Sequence, residues 1–300
     1  MSIRLLPILL VLAGHAHAGP FAPAANQDGT TAISAQDPRV VRWANTVRGY
    51  VAGDDLSATW QDTTNALGPA EGNPFDIVAL GRGGQITLEF DPPVTNNPGP
   101  DLAVFENSFS HTFLEFAFVE VSSDGITFVR FPSFSETPGE VGPFSSVDPT
   151  NVSGLAGKYI AGFGTPFDLD DLPETAGVNP NEIRFLRLID VVGGTSRDSL
   201  DRIIYDPFPT TGSAGFDLDA VAQLGPASIR ILSTEIDGGS FAVTWQSVPG
   251  VAYTLQTSAD PSGPWTSQPV VIASQDTQTG SLPVTGVSAK FVRIRVSPQG

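Results

Sequence analysis

Short apolar runs recur along this chain, and each is bounded by glycine, proline, asparagine or aspartate. The runs are rich in valine, isoleucine and phenylalanine, a composition that is typical of β-strands. Turn-forming residues are too frequent for a helical protein, because the 300 residues include 31 glycines and 26 prolines. The sequence therefore predicts an all-β fold.

The predicted strands fall into two groups that are separated at Gly225. The first group comprises residues 76–80, 85–90, 101–106, 114–122, 128–131, 183–192 and 215–224. The second group comprises residues 229–233, 240–246, 252–257, 270–273, 280–283 and 291–296. In the second group, Phe241, Val243 and Trp245 alternate with small or polar neighbours, so we expect one face of that strand to be buried. Short strands at even spacing predict a small immunoglobulin-like β-sandwich over residues 228–300.

An export signal occupies residues 1–18. Arg4 is followed by a short apolar run, residues 5–13, and then by Ala16-His17-Ala18, a small-x-small cleavage motif. The apolar run is too short to span a bilayer, and no later stretch is long and apolar enough, so we expect no membrane span. We expect cleavage after Ala18 and a mature protein that is periplasmic, displayed on the cell surface or secreted.

Residues 19–36 are rich in alanine, glycine and proline, and we expect them to form a flexible segment. Asp37-Pro38 predicts a short helix over residues 39–47, because aspartate caps helices and proline is tolerated in their first turn. Ser123-Asp124-Gly125 is a hairpin signal. The long connections 132–182 and 193–214 are expected to be either functional or mobile.

Charge and cysteine content exclude several classes of protein. The net charge is −17, and nucleic acids and anionic membrane surfaces instead attract clusters of lysine and arginine. An acidic surface suits cations and neutral or cationic ligands. There are no cysteines, which excludes disulfides, thiolate metal sites and a cysteine nucleophile.

Several segments resemble a known family. GRGGQITLEFDPPV (81–94), FVEVSSDGITFVRF (118–131) and GFDLDAV (215–221) are similar to a family of exported bacterial cell-surface proteins with a discoidin-like, galactose-binding-type domain. Residues 241–265 resemble fibronectin-like modules of Verrucomicrobia-type and planctomycete-type exported proteins. The resemblance implies a jelly-roll β-sandwich over residues 37–225, followed by the smaller immunoglobulin-like β-sandwich. It also implies ligand binding through loops at one end, a structural calcium ion and no catalytic residues in the second domain.

Carboxylates are the candidate metal ligands. Asp217 and Asp219 lie on the same face of a predicted strand, and two neighbouring negative charges are costly unless a cation or several donors neutralise them. Asp101, Glu106 and Asn107 occupy comparable positions at strand ends. Calcium takes six to eight oxygen ligands, so these five residues form the predicted calcium site. The alternative is that they cap loops by accepting backbone N–H bonds.

Two aromatic residues, Tyr159 and Phe163 in GKYIAGFG, are the predicted ligand contacts, because aromatic rings stack on sugars. The alternative is that both belong to the core.

Catalysis has little support in the sequence. His111 is the single histidine that remains after signal cleavage, and a loop position without a nucleophile motif makes a catalytic triad implausible. Glu115 and Glu120 lie in an apolar run, where either could act with Glu106 as a glycosidase pair. The simpler reading is that such a glutamate occupies an exposed strand position or pairs with an arginine such as Arg130 or Arg187.

The sequence therefore predicts an exported, non-catalytic binding protein that recognises a glycan or other surface ligand through loops of the first domain. One alternative is a carboxylate-dependent glycoside hydrolase or lyase. The other is a structural component of the envelope or matrix.

Overall fold

The computed structural model describes residues 19–173, 177–225, 229–248, 251–275, 277–283 and 291–297. The predicted export signal lies outside these residues. The described chain is mostly β, with several antiparallel sheets that include a curled half-barrel. No helix within it is long and apolar enough to cross a membrane.

The first 225 residues contain thirteen strands and four short 3-10 turns in their described part. The strands are β1 (Ile33–Ser34), β2 (Val40–Trp43), β3 (Thr46–Val51), β4 (Val78–Ala79), β5 (Gln85–Val94), β6 (Leu102–Glu106), β7 (Ala117–Ser122), β8 (Val129–Arg130), β9 (Phe134–Ser135), β10 (Val152–Ser153), β11 (Phe163–Phe167), β12 (Ile183–Asp190) and β13 (Asp217–Leu224). The turns are Ala58–Trp60, Thr63–Ala66, Pro149–Asn151 and Leu169–Asp171.

These strands form two main antiparallel sheets that share one core. The strand order is β1-β11-β6-β13-β2 in the first sheet, with β4 added to β13, and β3-β5-β12-β7-β8 in the second. Leu88 and Leu186 of the second sheet pack in the same buried cluster as Val104 and Leu218 of the first. The alternation of apolar and polar residues produces this arrangement, because successive side chains of a strand point to opposite faces.

The helix predicted over residues 39–47 is wrong, because this segment forms β2 and the start of β3. The Asp37 side chain does accept a hydrogen bond from the Arg39 N–H, at 2.9 Å, but the turn that it closes leads into a strand. β2 pairs with β13 and β3 pairs with β5. β-Branched residues such as Val40 and Val41 favour strands, and pairing with a neighbouring sheet edge outweighs the local helix signal.

The segment 19–36 makes specific contacts with the first sheet and its loops. Phe21 donates its backbone N–H to the Thr150 carbonyl, at 3.0 Å, and Ile33 lies in β1, which pairs with β11. Ala24 and Ala25 are buried. The flexibility of this segment in solution stays a prediction.

Seven strands lie in the described residues after 228. They are β14 (Ile231–Asp237), β15 (Ser240–Gln246), β16 (Ala252–Ser258), β17 (Thr266–Ser267), β18 (Val271–Ile272), β19 (Thr277–Pro283) and β20 (Phe291–Ser297). One sheet has the order β14-β15-β19, and in the other β16 pairs with β17, β18 and β20. The predicted burial of one face of β15 is confirmed, since Val243 and Trp245 are buried and Phe241 packs against their cluster.

Candidate functional site

The predicted calcium ligands do not come together at one point. Asp101 precedes β6 and Glu106 ends it. Because a strand rises by about 3.3 Å per residue, these two positions are roughly 16 Å apart along the strand. One ion cannot bind both residues, so the five predicted ligands cannot form a single calcium site.

Two of the predicted ligands cap loops instead. Asp101 accepts backbone hydrogen bonds from Asn97, at 2.8 Å, and from Leu169, at 3.0 Å. Asp219 accepts the consecutive N–H groups of residues 71 and 72, at 3.2 and 2.9 Å. These contacts match the alternative that the sequence left open, in which aspartates accept backbone N–H groups.

Asp217 is bonded by the Ser213 side chain rather than by backbone N–H groups. Its Oδ1 atom is buried and, within the described residues, has no hydrogen-bond partner. Glu106 accepts one backbone hydrogen bond, from Ser108 at 2.7 Å, and Asn107 donates its side-chain amide to the Asn73 carbonyl. Among the described residues, no group of three or more histidines, aspartates and glutamates has the arrangement of a metal centre.

Strands of both main sheets end in acidic residues whose side chains point into the space between the sheets. Asp190 follows the inward-facing Leu186 and Leu188 of β12, and Glu106 follows Leu102 and Val104 of β6 in the same way. With Glu115, Asp206 and Asp217 they form what we call the buried acid set: Glu106, Glu115, Asp190, Asp206 and Asp217.

Burial raises the pKa of every member of the buried acid set. It raises the pKa of Asp190 to about 7 and that of Asp217 to about 8. For Glu106, Glu115 and Asp206, burial and then the negative charge of neighbouring members raise the pKa well above its ordinary range. None of the ion pairs in the described chain joins a basic residue to this set. Asp190 instead accepts backbone N–H bonds from Gly83 and Phe216, each at 2.9 Å.

A pocket of about 600 Å³ opens at the same end of the molecule, where the two long connections meet. We call it the loop-end pocket. Its lining includes Glu140, Thr195, Tyr205, Asp206 and Phe208. Behind it, a cavity of about 10 Å³ is lined by Glu115, Asp190 and Asp206, so Asp206 contributes to both spaces. The small cavity has room for about one water molecule.

Asp198 holds the two long connections in place. Its buried carboxylate accepts backbone hydrogen bonds from Ser135, Leu200 and Arg202, at 3.0, 2.9 and 2.9 Å, and an ion pair from the Arg202 guanidinium at 2.7 Å. The Phe208 N–H also bonds the Val141 carbonyl, at 3.2 Å. The walls of the loop-end pocket are therefore tied to each other before any ligand arrives.

Three phenylalanines, two from the loop between β6 and β7 and one from the connection 132–182, form a stack on the surface. Phe113 is buried and lies between Phe109 and Phe144, with ring centroids 4.7 and 5.8 Å away and interplanar angles of 21° and 15°. Phe109 is 70% exposed and Phe144 is 71% exposed. We call this group the phenylalanine stack. Because Phe113 supports one side of each outer ring, the outer sides face solvent.

Strain accompanies the phenylalanine stack. Phe144 has a φ of 56°, in the left-handed region that a bulky residue occupies at a cost of about 1–2 kcal/mol. Backbone strain of this kind is concentrated at functional positions, where the surroundings maintain it.

The ion pair predicted for Glu120 is confirmed. Glu120 lies on the outward face of β7 and binds two arginines, Arg130 at 2.9 Å and the neighbouring Arg187. Each guanidinium also covers an aromatic ring, Arg130 over Phe118 at 4.0 Å and Arg187 over Phe128 at 3.9 Å. Glu120 is therefore far from being a free acid, and it lies on the face opposite to the buried acid set.

The predicted ligand contacts lie away from the loop-end pocket. Tyr159 is 1% exposed and its hydroxyl lies 2.8 Å from Thr31 Oγ1, so its ring has no free face. Phe163 is half-buried at the start of β11. Their role in binding stays a prediction. His111 is exposed in a loop, as expected.

The sequence reasoning missed Phe109, Phe144 and Asp206. A signal for the two phenylalanines does exist, because each is a large apolar residue inside a polar loop, in NSFSHTF and GPFSS. No comparable signal marks Asp206, whose burial depends on how the connection 193–214 folds back onto the sheets.

No protein-family model matches this chain, and no curated protein matches it significantly. What the structure defines is a class: a mostly β protein built from several antiparallel sheets, with an acidic end closed by long loops. The discoidin-like and fibronectin-like assignments stay resemblances carried by short motifs.

Proposed function

We propose that this chain is an exported, non-catalytic binding protein that recognises a glycan through the loops at the acidic end of its first domain. The phenylalanine stack carries this proposal, because Phe109 and Phe144 present rigidly supported rings at 70% and 71% exposure. Exposed aromatic faces stack on the apolar faces of sugar rings and lose little conformational entropy on binding. Most exposed positions of a soluble domain are polar, so two such rings on one loop surface favour a recognition role.

Binding is favoured over catalysis by the burial of the acids. A glycosidase needs two carboxyl groups that flank one glycosidic bond. Glu106 and Glu115 are 3% and 4% exposed, and Glu120 is held by two arginines. A hydrolase or lyase would require a rearrangement that exposes two of these groups to substrate.

The proposal retains calcium as a structural ion. The Oδ1 atom of Asp217 is buried and has no hydrogen-bond partner among the described residues, so it could bind a cation. Glu106 lies close enough for the charge of Asp217 to raise its pKa. Asp101, Asn107 and Asp219 have other partners and do not fit. Calcium at Asp217 and Glu106 would take its remaining oxygens from backbone carbonyls and water, and it would neutralise the inner end of the sandwich.

Binding of the mature protein to a panel of surface-attached oligosaccharides tests the proposal, followed by titration calorimetry with the best ligand. We expect Phe109→Ala and Phe144→Ala each to weaken binding by about tenfold or more, since an aromatic hot spot contributes at least about 1.4 kcal/mol. Both rings are exposed, so neither variant should disturb the fold.

Phe75→Ala is the matched control, because Phe75 is also a highly exposed ring, at 77%, that stacks on another aromatic residue, Trp60. We expect this variant to bind like the wild type. Equal losses in all three variants, or no ligand in the panel, would contradict the proposal, and the second result would favour a structural envelope component. Cleavage of a bound oligosaccharide would favour the hydrolase or lyase.

A further inference from the structure

Asp206 is a buried acid at the boundary between the loop-end pocket and the small cavity behind it. It is 4% exposed, yet it lines both spaces. Its hydrogen bonds are a long one from the Phe116 N–H, at 3.3 Å, and one from its own N–H. A carboxylate can accept about four hydrogen bonds, so this group has unused capacity on the side of the pocket.

The residue beside the Asp206 carboxyl is a glycine, so no side chain covers the carboxyl there. Gly193 passes directly beside the carboxyl, and a Cβ atom at this position would lie 2.3 Å from Asp206 Oδ1. No basic side chain of the described chain forms an ion pair with Asp206; Arg82, which lines the same small cavity, pairs with Asp54 and Asp55. The negative charge of the ionised group is therefore left for a ligand to neutralise.

The remaining walls of the pocket suit an organic cation better than a bare metal ion. Tyr205 and Phe208 supply two aromatic rings that are both partly exposed, and Glu140 adds a second acid at the rim. Aromatic faces attract cations through their quadrupole. The volume of about 600 Å³ lies in the range of small-molecule pockets and far exceeds that of one metal ion.

We propose that the loop-end pocket binds the ammonium group of a small organic cation, with Asp206 as its counter-ion and with Tyr205 and Phe208 as its aromatic walls. This site is distinct from the phenylalanine stack and does not depend on glycan binding. An anion would meet two carboxyl groups, and a neutral ligand would leave Asp206 without a partner.

A cation at this site competes with a proton for the Asp206 carboxylate. The titratable groups that surround Asp206 are Glu115, Asp190, Glu140, Tyr205 and Arg82. Burial and the charge of Asp190 raise the pKa of Asp206 well above its ordinary value, which favours the protonated form. The ammonium group pairs with the ionised form, so the affinity should rise with pH.

Titration of the mature protein with choline tests the proposal, with 3,3-dimethylbutanol as the neutral molecule of the same shape. We expect choline to bind at least about tenfold more tightly than the alcohol at pH 8, and its affinity to fall at pH 6. Asp206→Asn should remove the preference for choline over the alcohol. Phe208→Leu should lower the affinity for choline by severalfold.

Glu140→Gln gives a second test that does not involve a buried position, because Glu140 is exposed. We expect this variant to bind choline more weakly and to bind the alcohol with unchanged affinity. Asp28→Asn makes the same charge change at an exposed position that does not line the pocket and should have no effect. Equal binding of choline and the alcohol, or no binding of either, would overturn the proposal. Displacement of choline by calcium at equal concentration would also overturn it, since the pocket would then prefer a metal.

Discussion

Asp217 shows what burial does to a single carboxyl group. Its Oδ1 is closed off from solvent without a hydrogen-bond donor, while burial raises its pKa to about 8. A hydrogen bond from the Ser213 side chain offsets only part of the cost of burying this charge, so near neutral pH the group either keeps its proton or holds a cation. Asp219, two residues later, avoids that choice because two backbone N–H groups bind it.

Calcium and the proton should compete at Asp217. We expect millimolar calcium to raise the Tm of the wild type by several degrees at pH 8 relative to excess chelator, because the ion would bind the folded state alone. Asp217→Asn should abolish this increase. The measurement is thermal unfolding followed by circular dichroism, with Asp101→Asn as the control that removes a loop cap and leaves the calcium effect in place. The same Tm with calcium and with chelator would count against a structural ion.

At the scale of single elements, periodicity was a good guide where one face of a strand is buried and the other is not. The segment expected over residues 240–246 is β15 with the same bounds, and the Ser123-Asp124-Gly125 hairpin joins β7 and β8. Two-residue strands such as β1 carry too few residues for any alternation to show. The error at residues 39–47 has another cause, since valines at helical spacing also suit a short strand.

β2 packs against two different cores through adjacent residues. Val40 belongs to the cluster that contains Phe105 and Leu224, whereas Val41 belongs to the cluster of Trp245 and Tyr253, in the C-terminal strands. Side chains of neighbouring strand residues point to opposite faces, so a single four-residue strand contributes to both parts of the chain. No pattern in the sequence around residue 40 predicts this contact, because it depends on the C-terminal strands reaching β2.

Substitution of these two valines should therefore loosen different regions. We expect Val41→Ala and Val40→Ala each to cost about 2 kcal/mol, from two lost methyl groups and the cavity that they leave. In hydrogen exchange, Val41→Ala should increase exchange in β15 and β16, and Val40→Ala in β6 and β13. If both variants loosened the same strands, the packing of β2 against two separate cores would be wrong.

At the scale of the whole molecule, the fold class follows from local sequence patterns, whereas the acidic end follows from contacts between distant parts of the chain. Strand content, the hairpin and the ion pair of Glu120 with Arg130 can be read from local sequence, because each depends on residues that are close in the chain or on simple strand parity. The buried acid set brings together positions between 106 and 217, and its members meet because the sheet that pairs β6 with β13 packs on the sheet that pairs β12 with β7. The phenylalanine stack likewise joins positions 109 and 144.

The buried acid set also sets the pH dependence of the whole molecule. The pKa values of Asp190 and Asp217 are raised to about 7 and about 8, so between about pH 4 and pH 8 the folded state holds protons that the unfolded state has lost. The free energy of unfolding must therefore fall as pH rises through this window. We expect a Tm that is several degrees higher at pH 5 than at pH 8.5 in the presence of chelator. Asp217→Asn should reduce this difference, whereas Asp28→Asn, which removes the same charge at an exposed position, should leave it unchanged. A Tm that rose toward pH 8.5 would mean that the acids are ionised and compensated in the folded protein.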